Sequence, residues 1–523
     1  MAMTVHSAGT PSTETNGRGK RILLCLTNNP NAVIVLFGIY FLVQTIVRQL
    51  VPPALRIDEA QQVLFAQWLA LGYDAQPPLY NWYQQGVFAV FGTSMVTLAL
   101  AKNFILFLTF AIYTKTAELV LENKRLVVVA AMALFVVPQV FWQAQRDLTH
   151  TAMLMLTFAS LIYCTIKLIQ RPTTAGYVLV GLAAGLGMLS KYNFALMLPA
   201  LLVAVWFHPT GRARIFDKRF LLTLGISLVV FIPHVFWLID NLSFASEVTL
   251  ERMAEDAPES RFLQIARGLG RFVSSSAIIL ALPALLLWLS ARQEKKRPAA
   301  TADTVWLRFF ITYFIAIAIL MTTVILMTTM TELRDRWLLP LLLPFPILAT
   351  LFLEQRVANV ERVSGKFIPL GLFVMVIVPL AMLLSQPLTA FMGRVSSSNY
   401  DWQAFRDHIV DDKRISPSLV VTPNWPSGGN LRFVFDAIPV GTTIYDDYDP
   451  VFALSEDRPV LMVWTGNDTK ELEVMTKWLG DQMHAKVEGV TATRLDVPLY
   501  YPVKNKVLEF NYAVVKPSNI IKN

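Results

Sequence analysis

Two adjacent carboxylates, Asp58 and Glu59, stand in the segment Arg56-Ile57-Asp58-Glu59-Ala60, immediately past a long apolar run from Ala32 to Val51. A carboxylate so placed could act as general base on an acceptor hydroxyl or hold a divalent metal. Acids at a helix end are also ordinary solvated interface residues. Here the pair lies tight against the apolar run and is followed by an unusual loop, Gly72-Tyr73-Asp74-Ala75-Gln76-Pro77-Pro78-Leu79-Tyr80-Asn81-Trp82. The two prolines explain a turn between helices, but not the aromatic and polar groups gathered around it.

Two further groups could take part in chemistry. Arg146 and Asp147 lie between two apolar runs, and His150, three residues on from Asp147, shares a helical face with it. His234 follows Pro233 near the outer end of another run, where it is either a packed, hydrogen-bonded histidine or a contact for metal or phosphate. Asp58 and His234 are the positions a divalent metal would take; no other cofactor is indicated, and without a second clustered histidine zinc is not. The run Asp446-Asp447-Tyr448-Asp449 reads as a solvated turn and lacks the ligand spacing of a calcium loop.

The elements that must position these residues follow from composition. Of the 523 residues 54% are hydrophobic and 16% charged, and mean hydropathy is +0.49. With repeated apolar runs near the ~20 residues that cross a bilayer, these values describe a polytopic membrane protein. The net charge of +8 resides in short segments between the runs, the positive-inside pattern, which argues against nucleic acid as a partner. Cys25 and Cys164 are the only cysteines, too few for a disulfide framework.

Apolar runs fall near 32–51, 95–120, 126–145, 148–170, 175–189, 193–208, 220–239, 272–290, 306–329, 337–354 and 367–385, about eleven helices. With residues 1–30 a disordered cytoplasmic tail, every inside loop is basic: Lys124 and Arg125; Lys167 and Arg171; Arg212, Arg214, Lys218 and Arg219; Arg292, Lys295, Lys296 and Arg297; Arg356, Arg362 and Lys366. The acids at 58 and 59 then face outward. Residues 61–71 and 79–91 read as interfacial helices in the first outer loop. From about residue 391, strand-like runs (418–421, 442–445, 459–464, 507–515) alternate with helix-like ones (401–410, 469–480), predicting a soluble α/β domain over 391–523 on the periplasmic face.

An acidic pair just beyond the first transmembrane run, then a loop carrying Pro77-Pro78-Leu79 and Trp82, resembles the C-type glycosyltransferases of family 39, the GT-C fold. The family includes protein O-mannosyltransferases and the aminoarabinose and galacturonic acid transferases of lipid A and lipopolysaccharide core. Gly185-Leu186-Gly187-Met188-Leu189-Ser190-Lys191-Tyr192, Pro233-His234-Val235-Phe236-Trp237 and Arg336-Trp337-Leu338-Leu339-Pro340 extend the resemblance over roughly 30–385, and Gly428-Gly429-Asn430-Leu431-Arg432 matches loosely in the tail. Where the aminoarabinose transferases have Glu-Lys ahead of the proline, this chain has Ala75-Gln76, which points away from that substrate.

The resemblance implies a mainly α, polytopic inner-membrane protein with its transmembrane catalytic domain over 31–390. It also implies inverting transfer of a sugar from a polyprenyl-phosphate donor to a glycolipid acceptor, lipid A or lipopolysaccharide core. A uronic acid is the expected sugar, and Arg252, Arg261, Arg267 and Arg271 are outer-face cations that could meet an anionic glycolipid. Asp58 would be the catalytic carboxylate, with Glu59 beside it and Asp147 as a second acid. Growing negative charge on the phosphate needs cations; Arg56, Arg146, Lys191, Arg334 and Arg336 are candidates, Lys191 and Arg336 foremost, with Tyr80 and His234 as further substrate contacts. A transporter or lipid flippase is the alternative. It would place charges at mid-membrane and broken helices in two matching halves, and the sequence has neither.

Overall fold

The computed structural model describes residues 25–243, 253–254, 258, 260–295, 304–445, 448–466 and 470–522. The tail up to residue 24, Arg252, Lys296, Arg297, Asp446 and Asp447 lie outside the described residues. In chain order the membrane part contains α1 (Pro30–Leu50), α2 (Ile57–Phe65), α3 (Leu79–Phe91), α4 (Met95–Val120), α5 (Lys124–Phe135), α6 (Thr149–Gln170), α7 (Thr174–Met188), α8 (Met197–Phe207), α9 (Phe220–Asp240), α10 (Arg261–Ala291), α11 (Val305–Met327), α12 (Phe345–Arg356) and α13 (Val360–Phe391). The C-terminal part adds α14 (Trp402–Asp407), α15 (Trp425–Val434) and α16 (Lys470–Met483).

Seven of these, α1, α4, α6, α9, α10, α11 and α13, are long and apolar enough to cross a membrane. An eighth results if α5 and the segment Gln139–Arg146, bent from it by 64°, are taken as one span. The remaining expected runs, over 175–189, 193–208 and 337–354, form the shorter helices α7, α8 and α12. Ile39, Ile46, Leu228, Val229, Ile319, Phe373 and Val376 all project outward, exposed. A belt of large exposed apolar side chains around helices is the inverse of a soluble surface and fits lipid.

Local sequence sets the helix ends. α1 starts where Asn29 Oδ1 accepts the N–H groups of Asn31 and Ala32, with Pro30 at the first position. α5 is apolar all round, and every residue from Leu126 to Phe135 is buried, as expected of a helix at the centre of a bundle. The sequence predicts one helix over 126–145, but the structure breaks it. Pro138 lacks an N–H and cannot continue the ladder, a π-helical turn follows over Gln139–Gln143, and Leu148 takes a left-handed backbone (φ 71°) ahead of α6. This break carries residues 147–149 to the site.

The first outer loop also differs from expectation. Its first helix begins at Ile57, because Glu59 Oε2 accepts the N–H of Arg56 at 3.1 Å and acids are favoured in a first turn. Asp58 and Glu59 therefore lie inside α2. The helix ends at Phe65, after which Gln85 Nε2 binds the carbonyls of Phe65 and Trp68, each at 2.9 Å, and Trp82 Nε1 binds that of Ala70 at 2.8 Å. α3 spans 79–91 as predicted.

The C-terminal domain is a five-stranded sheet in the order β2-β1-β3-β6-β5, built from β1 (Leu419–Thr422), β2 (Val440–Thr442), β3 (Val460–Thr465), β5 (Thr493–Val497) and β6 (Leu508–Val515). β1 is parallel to β2 and β3, while β6 is antiparallel to β3 and β5. β4 (Ala485–Val487) and β7 (Ile520–Lys522) pair separately. The sequence reading missed α15, β5 and this small pair: α15 starts on the turn-like Asn424-Trp425-Pro426, and β5 is largely exposed.

Candidate functional site

Asp58 is the second residue of α2, and its carboxylate faces the start of α6. Its Oδ2 accepts the backbone N–H of Thr149 at 2.9 Å and the Thr149 hydroxyl at 3.3 Å. Thr149 is the first residue of α6, so the carboxylate sits at the positive end of a helix dipole, where a negative group is stabilised. The other oxygen, Oδ1, has no hydrogen-bond partner among the described residues. That oxygen is the one with lone pairs left for a substrate hydroxyl.

Asp58 lines a cavity of about 160 Å³ together with Lys191 and Arg336. Three residues expected from separate sequence segments thus converge on one space. The lining combines apolar side chains, Leu196, Met321, Met330, Leu333 and Leu341, with polar ones, Gln76, His150, Thr151 and Asn193. Lys191 Nζ donates to Thr151 Oγ1 at 3.1 Å. Arg336 lies in the short helix Asp335–Leu338, which is fastened to the bent segment because Asp335 Oδ2 accepts from Gln139 and Gln143 at 3.0 and 3.2 Å. Ala75 and Gln76, the pair at which the motif departs, form part of the same lining.

Glu59 points elsewhere. Successive helical residues lie about 100° apart, and Glu59 is buried against Arg48, which donates Nε to Oε1 at 3.1 Å and Nη2 to Oε2 at 2.8 Å. Burial by itself raises the Glu59 carboxyl, but Arg48, aided by Lys102 and Arg56, outweighs it and holds the carboxyl at about 2. Arg48 also binds the carbonyls of Pro52 and Ala54, each at 3.0 Å, so this pair ties the end of α1 to the start of α2.

Arg56 extends this network and does not line the cavity. Its guanidinium donates to the Gln145 carbonyl at 3.2 Å, and burial lowers it to about 10. Lys102 Nζ donates to the same carbonyl at 3.1 Å. Two cations on one carbonyl fix the bent segment just ahead of Asp147 and Thr149. The sequence reading passed over Lys102, although a charge set among the apolar residues of a 26-residue helix is itself a signal.

Asp147 stands beside this group without lining the cavity; its Oδ1 is buried with no hydrogen-bond partner among the described residues, and burial, reinforced by the Asp58 charge, pushes its carboxyl upward. Arg146 is exposed. Tyr80 is fully buried behind the cavity, with its ring 5.8 Å from that of His150. His150 Nδ1 is buried with no hydrogen-bond partner among the described residues. The sequence reading had only placed His150 on a face with Asp147, and it had no signal for Thr149.

His234 differs from its expected role as a ligand. It is fully buried, its Nδ1 lies 2.8 Å from the Leu71 carbonyl and its Nε2 3.0 Å from the Tyr192 hydroxyl. Both ring nitrogens are engaged, and no group of three or more His, Cys, Asp or Glu able to hold a metal occurs among the described residues. His234 joins α9 to the first outer loop, with Gly72 so close to Trp237 that a Cβ there would lie 2.2 Å from the indole.

The described arginines expected on the outer face are likewise engaged. Arg261 binds carbonyls at the end of α11, those of Leu326 and Thr328, and Arg267 and Arg271 pair with Glu332. Arg334 lies over the Trp337 ring, 5.9 Å from its centroid.

The C-terminal domain rests directly on α2. Asn430 Oδ1 accepts the N–H of Leu55 at 2.7 Å, and its Nδ2 donates to the Leu55 carbonyl at 3.3 Å. A Cβ on Gly429 would lie 2.0 Å from the Ala60 carbonyl oxygen. The loosely matching Gly428-Gly429-Asn430 stretch is therefore the contact that holds the Asp58 helix from outside.

A family model described as dolichyl-phosphate-mannose-protein mannosyltransferase matches residues 75–237. The lipopolysaccharide core galacturonosyltransferase RgtB of Rhizobium johnstonii is 32% identical over 490 residues, spanning 92% of this chain and 97% of that protein. RgtA of the same organism, also a lipopolysaccharide core galacturonosyltransferase, is 32% identical over 494 residues, with the same coverage of 92% and 97%. Among solved structures, ArnT from Cupriavidus metallidurans in the apo state superposes with a TM-score of 0.55 at 13% identity, covering 92% of this chain and 98% of that one. The same enzyme bound to undecaprenyl phosphate gives 0.54 at 14% identity, covering 91% and 97%. At such identities the likeness is one of fold.

Proposed function

We propose that this chain, which belongs to the lipopolysaccharide core galacturonosyltransferase family of C-type, polyprenyl-phosphate-sugar-dependent glycosyltransferases, transfers a uronic acid to a lipopolysaccharide core sugar. Galacturonic acid is the sugar named for both relatives. The donor phosphate binds Lys191 and Arg336, and its prenyl chain runs along the apolar side chains of the cavity. Asp58 Oδ1 takes the proton of the acceptor hydroxyl as that oxygen bonds to the anomeric carbon. The bond from that carbon to the phosphate oxygen breaks on the opposite face, so configuration inverts, and the electron pair leaves with the polyprenyl phosphate. Arginine and lysine stabilise that growing charge.

The observation that carries this reading is the convergence of Asp58, Lys191 and Arg336 on one cavity with apolar side chains in its lining. Glu59 and Arg56 act by position, holding α2 and the bent segment. Asp147, its carboxyl pushed upward by burial and by the Asp58 charge, stands beside this network. The orientation follows from charge: basic loops such as the one holding Arg212, Arg214, Lys218 and Arg219 face the cytoplasm together with the N-terminus, and the C-terminal domain, bound to α2 through Asn430, lies in the periplasm.

The test is transfer of labelled galacturonic acid from its polyprenyl-phosphate donor to core acceptor in membranes holding wild type or Asp58→Asn. A positioned base is worth about 10²–10⁴ in rate, so the variant loses transfer by about that factor while accumulating normally in the membrane. Full turnover in that variant would remove Asp58 as the base.

A further inference from the structure

We propose that a second cavity, at the end of α6 remote from Asp58, binds one acyl chain of an anionic glycerophospholipid and holds its phosphate on Arg214. The cavity measures about 150 Å³ and lies between the ends of α6, α7, α8 and α9. α6 touches both cavities: Thr151 lines the first and Thr165 the second. Fourteen helical residues separate them, about 21 Å at 1.5 Å per residue, so the second cavity lies in the opposite half of the bundle.

Its walls are Leu161, Leu168, Leu201, Val205 and similar side chains. An apolar cavity of about this size stays dry and takes apolar ligands. It opens sideways, because Leu202 and Leu224 line it while remaining 43% and 52% exposed on the lipid-facing surface. What enters from that side in a membrane is a lipid chain.

Arg214 supplies the second observation. It lines this otherwise greasy space, and among the described residues its guanidinium makes one long side-chain hydrogen bond, Nη2 to the Ile169 carbonyl at 3.4 Å, while its Nε has none. A half-buried guanidinium so weakly engaged has Nη–H groups left for a phosphate oxygen, which binds them with charge. Neighbouring cations have other duties: Arg219 pairs with Asp217 at 2.7 Å, and Arg212 lies over the Trp206 ring, 5.3 Å from its centroid. Arg214 is thus the headgroup contact at the edge of an acyl slot. Gly181 and Gly185 pack α7 tightly on α9, with Cβ atoms there meeting Thr223 and Val230 at 2.7 Å, which gives the slot a rigid floor.

The full chain, reconstituted in nanodiscs of phosphatidylcholine with phosphatidylglycerol, is released into detergent and weighed by native mass spectrometry as bulk lipid is stripped. Wild type is expected to keep one phosphatidylglycerol. Arg214→Gln removes the phosphate contact, and Ser227→Leu fills the cavity without touching Arg214; each should lower retention at least tenfold. Equal retention by wild type and both variants overturns the site, and equal retention of phosphatidylcholine overturns the anionic headgroup. Displacement of the retained lipid by saturating undecaprenyl phosphate would place it in the Asp58 cavity and also overturn the proposal. A lowered melting temperature in one variant leaves the other, together with Ala184→Leu, to decide.

Discussion

Asp58 and Glu59 are neighbours in the chain, yet their carboxylates serve different spaces. The first binds the N–H of Thr149 at 2.9 Å and faces the cavity of Lys191 and Arg336; the second is held by Arg48 at 2.8 Å inside the wall. The roughly 100° between adjacent helical side chains sends one carboxylate of the acidic motif to the cavity and the other into the packing around it. The two substitutions should therefore fail differently.

Glu59→Gln removes one partner of a buried ion pair, which costs about 3–5 kcal/mol. It should lower the melting temperature and the yield of folded protein, with activity falling in proportion to yield. In the wild type the Glu59 carboxyl lies at about 2 in the fold against an ordinary 4.5. A depressed carboxyl stabilises fully above its unfolded value and loses that contribution as pH falls from about 4.5 through 2. Melting curves over that window should decline less steeply for Glu59→Gln than for wild type.

Lys191→Met and Arg336→Met should weaken donor use. A hydrogen bond to a charged group is worth about 1.5–3 kcal/mol, so each should lower kcat/KM for the donor by roughly 10- to 150-fold. Arg336→Lys keeps charge without the planar fork and should recover part of the loss. Steady-state kinetics with varied donor separates these outcomes, and unchanged kcat/KM in both methionine variants would contradict a phosphate site there.

Gly429→Ala tests the docking of the C-terminal domain. A Cβ would meet the Ala60 carbonyl at 2.0 Å, and backbone at a packed contact yields poorly, at a cost of about 1–3 kcal/mol. Transfer should fall while the domain keeps its own sheet, seen as faster proteolysis between the two parts without loss of the domain fragment. Gly466→Ala, which meets nothing within 4 Å but has φ +88°, strains only a turn of the domain and should spare transfer.

His234→Ala leaves the Leu71 carbonyl and the Tyr192 hydroxyl without their partner, at about 1–3 kcal/mol. The expected result is a lower melting temperature with the donor KM little changed. A loss of transfer restored by added divalent metal would instead assign His234 to a metal.

Much of the bundle was legible in the chain because lipid offers no partner to backbone N–H and C=O groups, so apolar runs must close their own hydrogen bonds as helices. Each run from 32–51 to 367–385 contains helix. The motifs around Asp58, Lys191 and Arg336 were legible as residue types in segments at the ends of apolar runs. The break after Phe135 was not, since one proline amid apolar residues also occurs inside intact helices, as Pro283 does in α10.

By itself the sequence determined the class of protein, its helical runs, and which polar residues stand at their ends. Only the tertiary structure decided which of them meet. The contact of Asn430 with Leu55 joins residues 375 positions apart, and the separation of Asp58 from Glu59 depends on Arg48, Lys102 and Gln145 arriving from three elements. The physical reason is range: helix formation in lipid is settled within a few residues, whereas a carboxylate takes its role from charges and donors that folding brings to it from elsewhere in the chain.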